Sequence, residues 1–536
     1  TASILISGLV SLTLTPMLCS RFLKPHRAGT EHHNWLFRMS EAMFQGMVSF
    51  YERTLRGAMH HRSLTVGIAA AMVVLTVLVA RELPTGFIPT DDTGQMYIAT
   101  EGAQDVSYAE MVNHQQAVAK IVAAHPAVEA FMSSFGSGGI SASTGNQGRM
   151  FIRLKPRHQR TLSADEIAAR LRPKLAAVPG LRVFLQVPPP IRLERRLSKS
   201  PYQITLTGPD TDELYKAAPI LEQKLRELPD LRDVSSDLLL NSPQVNVRID
   251  RDSAVARGVN ARSIEDALAN AYGARQITTI FAPNNEYQVI LELDSRYRRD
   301  PDALKLLYIR GAGERLVPLE SVVKFDRGVG PLQVNHTGQL PSVTLSFALR
   351  PGASLGDALN EINGVARETL PATVTTSFQG TAQAFQASAK GLGLLILAAI
   401  VVIYLVMGML YESFIHPITI LSGLPSAGIG ALVTLQLFGS ELNLYSAVGL
   451  VLLIGIVKKN AIMMVDFALD AERTQGKSAS EAIHEAALVR FRPIMMTTMA
   501  ALLGALPIAL GLGAGSESRQ PLGLAVVGGL VVSQFL

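Results

Sequence analysis

The stretch GIVKKNAIMMVDFAL, residues 455–469, is an apolar run with a helical pattern that contains two adjacent lysines, Lys458 and Lys459. It belongs to a longer apolar segment, residues 442–469, which has the roughly 20 residues that a helix needs to cross a bilayer. A lysine at the centre of such a helix costs about 2.5 to 3.5 kcal/mol to insert, so it is expected to face a bundle interior and an acidic partner. The stretch therefore predicts a membrane protein that carries a functional charge between its helices.

The whole chain has the composition of a polytopic membrane protein. Of its 536 residues, 48% are hydrophobic, and the mean hydropathy of +0.25 lies above that of a typical soluble globular protein. Further long apolar stretches occupy residues 1–20, 63–80, 391–410, 414–438, 493–515 and 521–536. The chain begins without Met inside one apolar run and ends inside another, which predicts a piece of a longer polytopic protein.

The distribution of basic residues predicts the orientation of these stretches. Arginines, lysines and histidines concentrate in residues 21–33, 51–62 and 466–492, and the positive-inside rule places such segments on the cytoplasmic side. Alternation of the spans then places residues 82–390 outside. The net charge of +5 therefore reflects membrane topology, and no nucleic-acid partner is predicted. The single cysteine, Cys19, lies in the first apolar run, so the external part is expected to have no disulfides.

The external part repeats a strand, helix, strand pattern four times. The copies are residues 96–136, residues 148–187, residues 201–229 with 244–250 as the second strand, and residues 342–380. Two such units make one ferredoxin-like βαβ sandwich, so four units predict two sandwiches. The predicted fold class is an α-helical polytopic membrane protein with external α+β domains.

A long insert separates the third copy from the fourth. Residues 251–340 contain a helix and strands of their own, and a domain that emerges from another is well placed to reach a partner. Two strand patterns in the insert are separated by Pro283, Asn284 and Asn285, which predicts a turn at an exposed tip.

Five motifs together resemble the hydrophobe/amphiphile efflux group of the resistance-nodulation-cell division transporters. They are LTPMLCSRFL (14–23), FIPTDDTGQMYI (87–98), YESFIHP (411–417), GIVKKNAIMMVDFA (455–468) and RFRPIMMTTMAALLGALP (490–507). The paired-lysine motif is most similar to that of the multidrug-transport B and C subunits. The resemblance extends over the whole chain and implies the C-terminal half of such a transporter.

This resemblance implies a domain order and a set of partners. The implied segments are the end of a transmembrane helix (1–22), a cytoplasmic linker with an amphipathic helix (23–62), a transmembrane helix (63–81), a first porter sandwich (85–198), a second porter sandwich (199–250 with 341–382), an inserted docking domain (251–340) and further transmembrane helices (387–536). The implied function is proton-driven export of drugs and other amphiphilic compounds from the bacterial inner membrane. The protein would be a transporter and not an enzyme, would need no cofactor, and would act as a homo- or heterotrimer with a periplasmic adaptor and an outer-membrane channel.

The resemblance also implies a proton relay in the membrane. Lys459 and Asn460 match the lysine and asparagine that neighbour two aspartates of another helix in the family. Arg490 and Thr497, two helical turns apart on one face, match the arginine and threonine of the following helix. The threonine has a simpler alternative, a hydrogen bond to its own helix backbone. Lys458 points about 100° away from Lys459, and we interpret it as a side chain that reaches toward the cytoplasmic interface.

The implied substrate pathway lies in the first sandwich. Residues 136–148 match the family's flexible pathway loop in position and in their glycine and serine content, with Gly136, Gly138 and Gly139 among them. The residues that match the lining of the aromatic pockets are Phe131, Phe135, Phe151 and Phe184. Gln186 stands where some relatives have phenylalanine, which predicts a more polar pocket. The alternative for each phenylalanine, and above all for Phe151 and Phe184, is a place in the strand core.

Other functions have weaker support in the sequence. Heavy-metal export, the main alternative, would need thiolate, thioether, imidazole or carboxylate clusters along the external path, and none is apparent. The pairs His32, His33 and His60, His61 have no third ligand nearby, so no metal site is predicted. The segment AERTQGKS resembles a phosphate loop, but Ala471 replaces its first glycine. The third alternative is a membrane enzyme or a protein-secretion auxiliary. The sequence shows no set of nucleophile, base and orienting residue for an enzyme, and the insert at residues 251–340 is longer than a secretion auxiliary would need.

Overall fold

The computed structural model of the protein describes residues 2–22, 35–136, 145–189, 191, 198–273, 275–513 and 515–535. The chain forms two compact units. One contains residues 1–73 and 459–499, and the other contains residues 74–458 and 500–536.

Helices and strands are numbered along the chain. The α-helices are α1 (Ala2–Phe22), α2 (Trp35–His60), α3 (Arg62–Glu82), α4 (Tyr108–Ala123), α5 (Ala164–Ala176), α6 (Thr211–Glu227), α7 (Arg251–Ala256), α8 (Ala261–Tyr272), α9 (Ser295–Arg298), α10 (Leu355–Thr369), α11 (Gly380–Tyr411), α12 (Ile415–Leu421), α13 (Leu424–Leu437), α14 (Leu444–Gln475), α15 (Ala479–Ala509) and α16 (Gln520–Phe535). The strands are β1 (Gln95–Gly102), β2 (Val128–Phe135), β3 (Gln147–Leu154), β4 (Leu181–Gln186), β5 (Tyr202–Thr207), β6 (Leu231–Ser236), β7 (Ser242–Ile249), β8 (Arg275–Ala282), β9 (Asn285–Leu291), β10 (Tyr308–Arg310), β11 (Leu316–Pro318), β12 (Val323–Gly330), β13 (Asn335–Thr337), β14 (Leu340–Leu349) and β15 (Thr375–Gln379).

Within the described ranges, six helical segments are long and apolar enough to cross a membrane. They are Leu5–Phe22, Arg62–Glu82, Gly380–Tyr411, Ile415–Leu437, Leu444–Gln475 and Ala479–Ala509, and α16 is a shorter apolar helix. The apolar stretches of the sequence therefore form helices, as predicted. The stretch at residues 414–438 differs, because it consists of α12 and α13, which separate at Ser422 and Gly423. Pro425 follows in the first turn of α13, where a residue without a backbone N–H is tolerated.

Helix α2 is the predicted amphipathic helix, and it packs against α15. The Tyr51 ring stacks on the Phe491 ring with 4.8 Å between centroids, and Glu41 forms an ion pair with Arg492. The opposite side of the helix leaves Trp35 exposed, together with Met39, Met43 and Phe50. Such a helix, polar and apolar on opposite sides, suits the surface of a membrane.

The first sheet of the part that is predicted to be external, called the first external sheet, is antiparallel, with the strand order β2-β3-β1-β4. Strand β3 alternates between buried and less buried residues, and its buried side packs against α4 and α5. Helix α5 begins with a capping box, in which the Ser163 side chain and Glu166 satisfy each other's free backbone N–H groups. The core between the sheet and the two helices includes Met96, Ile98, Met111, Val118, Met150, Ile152, Ile167 and Leu171.

The second external sheet repeats this order. Strands β6, β14, β5 and β15 are neighbours in that sequence, and the short strand β13 also pairs with β14. In both sheets the second unit contributes the strand that separates the two strands of the first unit. Helices α6 and α10 cover one face, and the core includes Ile204, Leu206, Leu214, Leu221, Phe347, Leu359 and Ile362.

The prediction that residues 244–250 form the second strand of the third unit is wrong. That place is taken by β6, residues 231–236, whose side chains alternate weakly and include Asp233 with a φ of 55°. The clearly alternating residues 242–249 form β7, which pairs with β12 as a separate two-stranded ribbon. A half-buried ribbon and a sheet strand give the same period of two, so the alternation alone could not distinguish them.

The insert carries an exposed hairpin made of β8 and β9. Ala282 lies opposite Asn285, so Pro283 and Asn284 form the two-residue tip. This confirms the predicted turn. The hairpin is exposed along most of its length, including the large apolar side chains of Ile280 and Phe281.

Candidate functional site

Asn460 and Thr498 join α14 to α15 within one compact unit. The Asn460 side-chain amide Nδ2 donates a hydrogen bond of 3.1 Å to Oγ1 of Thr498, whose side chain is buried. The predicted residue, Thr497, uses its hydroxyl to donate to the carbonyl of Ile494 in its own helix, at 3.0 Å. The structure therefore places Thr498 beside Asn460. The sequence offered a signal for this residue in the two consecutive threonines, which present hydroxyls about 100° apart on a helix.

The two adjacent lysines differ in exposure. Lys459 is exposed, whereas Lys458 is only 4% exposed. The interpretation of Lys458 as a side chain reaching the interface is wrong in this structure. Its side chain is enclosed by neighbouring residues, whereas a lysine that reaches the interface would be exposed. Neither lysine forms an ion pair with a residue that the structure describes, so Lys459 is available to a carboxylate elsewhere.

Arg490 belongs to the same helix pair and contacts α14 at Phe467, seven residues beyond Asn460. The carbon of its guanidinium lies 5.0 Å from the centroid of the Phe467 ring, which is a cation–π distance. Its Nε is buried and has no hydrogen-bond partner in the part of the chain that the structure describes. A buried donor without a partner costs about 1 to 3 kcal/mol. Arg490 therefore has an unused capacity to bind an anionic or accepting group.

The first external sheet presents a second set of predicted residues on the face opposite α4 and α5. Tyr97 pairs in register with Phe151 on one side and with Gln186 on the other. Met132 also pairs with Phe151, and Ala99 pairs with Phe184. Directly opposed residues of an antiparallel pair share one face. The sheet therefore brings Phe151, Phe184 and Gln186 onto a common face with Tyr97 and Met132.

A cavity of about 350 Å³ opens on this face. Its lining includes Gln95, Tyr97, Ala130, Phe131, Met132, Phe151, Arg153 and Pro188. The Tyr97 and Phe151 rings lie 5.2 Å apart between centroids, a distance typical of packed aromatic pairs. Burial raises the pKa of Tyr97, so its phenol stays neutral. The arrangement suits a flat apolar ligand held between aromatic rings, a thioether and one arginine.

The predicted pocket residues do not all line this cavity. Phe131 borders it, although its strand position pairs with Ile152 of the core face. Phe135 packs instead against Tyr108 of α4, with 5.1 Å between the ring centroids.

Two further predicted residues, Phe184 and Gln186, contact other protein groups and are not among the residues that line the cavity. Phe184 is 3% exposed, and the Arg182 guanidinium lies 5.3 Å from its ring centroid. The amide of Gln186 donates to the carbonyl of Ser198 at 2.9 Å. The sequence prediction missed Tyr97 and Met132, although the alternation in MYIATEG already separates Tyr97 from the core residues Met96 and Ile98.

The predicted pathway loop begins at the end of β2. Gly136 has a φ of 94°, a conformation that favours glycine. Gly138 and Gly139 lie outside the described residues, so their role stays a prediction.

The structure groups no three His, Cys, Asp or Glu side chains for metal binding within the ranges that it describes. The exposed sheet face contributes one soft donor to its cavity wall, the thioether of Met132, which is 59% exposed. Soft-metal sites combine several such donors.

Comparison with known proteins identifies a family and a solved structure that this chain matches. The family model described as AcrB/AcrD/AcrF matches residues 1–536. A crystal structure of a heavy metal efflux pump has a similar fold, with a TM-score of 0.81 and 24% sequence identity, over 92% of this chain and 52% of that one. The chain thus spans about half the length of that solved structure. At this identity the likeness concerns the fold, whereas the family match covers every residue. The chain belongs to the AcrB/AcrD/AcrF family of resistance-nodulation-cell division permeases.

Proposed function

We propose that this chain is part of a proton-driven pump of the hydrophobe/amphiphile group that exports amphiphilic organic compounds. The observation that supports the substrate class is the cavity on the external sheet, where Tyr97, Phe131 and Phe151 place aromatic rings beside the thioether of Met132. Apolar pockets with a few polar groups are the usual binding sites of small organic molecules. Arg153 at the cavity supplies such a polar group.

The polar residues of α14 and α15 support the coupling to protons. An exposed lysine on an apolar helix is costly in a bilayer and needs an anionic partner that can gain and lose a proton. Lys459 provides that charge, the hydrogen bond from Asn460 to Thr498 holds the two helices together, and Arg490 has a free donor. We infer that protonation of the partner carboxylate weakens its attraction to Lys459 and shifts these helices. The driving force would be the proton-motive force, without a cofactor.

The assembly that we propose follows from family membership. The apolar helices fit a multi-pass protein of the inner membrane with a periplasmic part. A trimer that meets a periplasmic adaptor and an outer-membrane channel would complete the pump. The repeated strand order of the two external sheets supports the ferredoxin-like description of the porter domains.

Replacing Phe151 by alanine tests the substrate class. Since Phe151 packs against Tyr97 and lines the cavity, its loss should lower export of bulky aromatic compounds several-fold and affect small compounds less. The measurement is the accumulation of a series of fluorescent amphiphiles in cells that carry the whole protein. Phe135→Leu is the matched control, because Phe135 packs on the helix side of the same sheet. Unchanged accumulation of every compound in Phe151→Ala cells would remove this cavity from the pathway.

Metal export is the alternative that the same cells can test. The heavy metal pump shares the fold, but at 24% identity its cargo belongs to that protein alone. We expect no change in tolerance to copper, silver, zinc or cadmium when the whole protein is expressed. Increased metal tolerance without any change in amphiphile accumulation would replace the proposed substrate class.

A cysteine at Asn284 tests the external assembly. Asn284 lies at the tip of an exposed hairpin that has large apolar side chains on its surface, as expected of an arm that contacts another protein. In a Cys19→Ser background, we expect Asn284→Cys to react with a membrane-impermeant maleimide and to cross-link to a neighbouring subunit or adaptor. Gln475→Cys, at the end of α14, should do neither. Labelling of Asn284→Cys by permeant reagents alone would contradict the proposed topology.

A further inference from the structure

A second cavity, of about 560 Å³, lies at the base of the external part. It is bounded by the segment after α3, by α5 and β6, and by the loops that follow α13 and precede α16. Backbone hydrogen bonds fix this arrangement, since Gly86 N donates to Leu442 O at 3.2 Å and Leu444 N donates to Phe87 O at 3.0 Å. The cavity therefore lies where three membrane-crossing segments and α16 end. In a bilayer spanned by these helices, their ends lie at the depth of the lipid head groups.

Three arginines line this cavity, and two of them are bound to neighbouring groups. Arg172 forms an ion pair with Asp233 and donates to the carbonyl of Leu185 at 3.0 Å. Arg350 donates through its Nε to the carbonyl of Leu231 at 3.3 Å. These bonds leave both guanidinium groups anchored to the protein.

Arg232, the third arginine, has no such anchor. Its Nε is buried and lacks a hydrogen-bond partner in the described part of the chain. Burial lowers the pKa of Arg232 and the charge of Arg172 lowers it further, whereas the charges of Asp233 and Asp165 raise it. A guanidinium stays protonated in proteins, and Asp233 is already bound to Arg172, so the Nε of Arg232 keeps a donor for an anionic group in the cavity.

Three carboxylates line the same cavity, and two of them, Asp165 and Glu517, accept hydrogen bonds from the Thr90 hydroxyl and from the backbone N–H of Asp92. Glu441 belongs to the loop between α13 and α14, and its side chain lies directly against Gly86, where even a Cβ would stand 1.8 Å from Oε2. It forms no ion pair or hydrogen bond with any residue in the described ranges. Burial raises the pKa of Glu441, which indicates a charge without a cation beside it.

We propose that this cavity binds the head group of a zwitterionic phospholipid, with the phosphate at Arg232 and the amine at Glu441. Phosphatidylethanolamine has this chemistry. A head group that carries both charges matches a cavity in which the guanidinium of Arg232 and the carboxylate of Glu441 form no ion pair or hydrogen bond with a described residue, and the depth of the cavity matches the place of a lipid. The inference is independent of the proposed export, because it concerns binding and is measured without transport. It also concerns a cavity other than the one lined by Phe151.

The test uses the whole protein, purified in detergent and freed of lipid. Fluorescent short-chain phosphatidylethanolamine and phosphatidylglycerol are titrated into wild type and variants. Arg232→Gln should weaken binding of both lipids about tenfold or more, because a charge-assisted hydrogen bond to phosphate is lost. Glu441→Gln should weaken only phosphatidylethanolamine, the lipid with an amine. Arg226→Gln, a control on the exposed face of α6, should bind both lipids as wild type does.

Two further measurements make the outcome decisive. Arg232→Lys keeps the charge and should retain part of the binding that Arg232→Gln loses, which separates phosphate binding from a folding defect. Water-soluble phosphoethanolamine should compete weakly, and binding as tight as that of the lipid would overturn the lipid as the source of the head group. Equal affinities of wild type and Arg232→Gln for both lipids would overturn the site itself, as would an equal loss in Arg226→Gln.

Discussion

Replacing Lys459 by alanine should abolish export while expression and oligomeric assembly of the whole protein stay at wild-type levels. Lys459 is exposed on an apolar membrane helix, next to the asparagine that is bonded to Thr498 on α15. Its charge has no ion-pair partner among the described residues and is costly in a bilayer. We therefore expect it to bind the carboxylate whose protonation shifts the positions of these helices. Alanine removes this electrostatic link without disturbing a packed core, because the side chain is not buried.

Lys458→Ala provides the matched control for that experiment. Lys458 is the neighbouring residue with the same charge, but it is 4% exposed and has no ion pair with a described residue. A buried charge without a partner is costly, so its replacement by an apolar side chain removes an unfavourable group, and export should stay near the wild-type level. Accumulation of a fluorescent amphiphile in cells measures both variants, and subunit cross-linking checks assembly. Wild-type export by Lys459→Ala would remove this residue from coupling, and an equal loss in Lys458→Ala would move the role to its neighbour.

The elements that sequence reasoning predicts well are those with long, uniform patterns. The apolar helices stand out because each needs about 20 consecutive apolar residues, and such runs have few alternative explanations. Three of the four repeated strand, helix, strand units were also predicted correctly. The missed strand, β6, is short and contains charged residues such as Arg232 and Asp233, so its pattern was weaker than that of the ribbon strand β7.

Helix packing and strand register decide which residues meet in the candidate sites, and sequence patterns do not reveal either of them. A motif can match Lys459 and Asn460, but the helix packing decides that Asn460 meets Thr498 and that Thr497 bonds its own backbone. On the external sheet, strand register decides which residues share a face, and a shift of one residue exchanges the two faces. The sequence motif therefore matched Phe135 to an aromatic pocket position, but it could not predict that Phe135 contacts Tyr108 of α4.

A buried ion pair between Asp92 and Arg160 stabilises the first external sheet. Their side chains are 5% and 3% exposed. The Arg160 guanidinium also donates to the carbonyls of Lys155 and Leu162, at 2.8 and 2.9 Å, and the Asp92 carboxylate accepts from Ala164 N at 2.9 Å. Asp92 thereby links the segment before β1 to the first turn of α5. Burial alone would raise the pKa of Asp92, but the hydrogen bonds from Arg160 and Ala164 N lower it overall.

Replacing Arg160 by methionine should destabilise the external part by at most about 3 to 5 kcal/mol, because it removes the buried cation of Asp92 and leaves only the half-exposed Arg157, whose Nε lies 3.8 Å from the carboxylate. The measurement is the midpoint of thermal unfolding or the rate of limited proteolysis of the whole protein. Arg153→Met is the matched control, since Arg153 pairs with Glu129 at an exposed position where an ion pair contributes about 0 to 1 kcal/mol.

The lowered pKa of Asp92 also makes the stability of the external part depend on pH. Its contribution is present above the unfolded value of about 3.9 and is lost as pH falls through the folded pKa, so wild type should lose stability in that acidic range and Arg160→Met should lose less. Equal stabilities of Arg160→Met and Arg153→Met would show that the buried pair does not hold this sheet together.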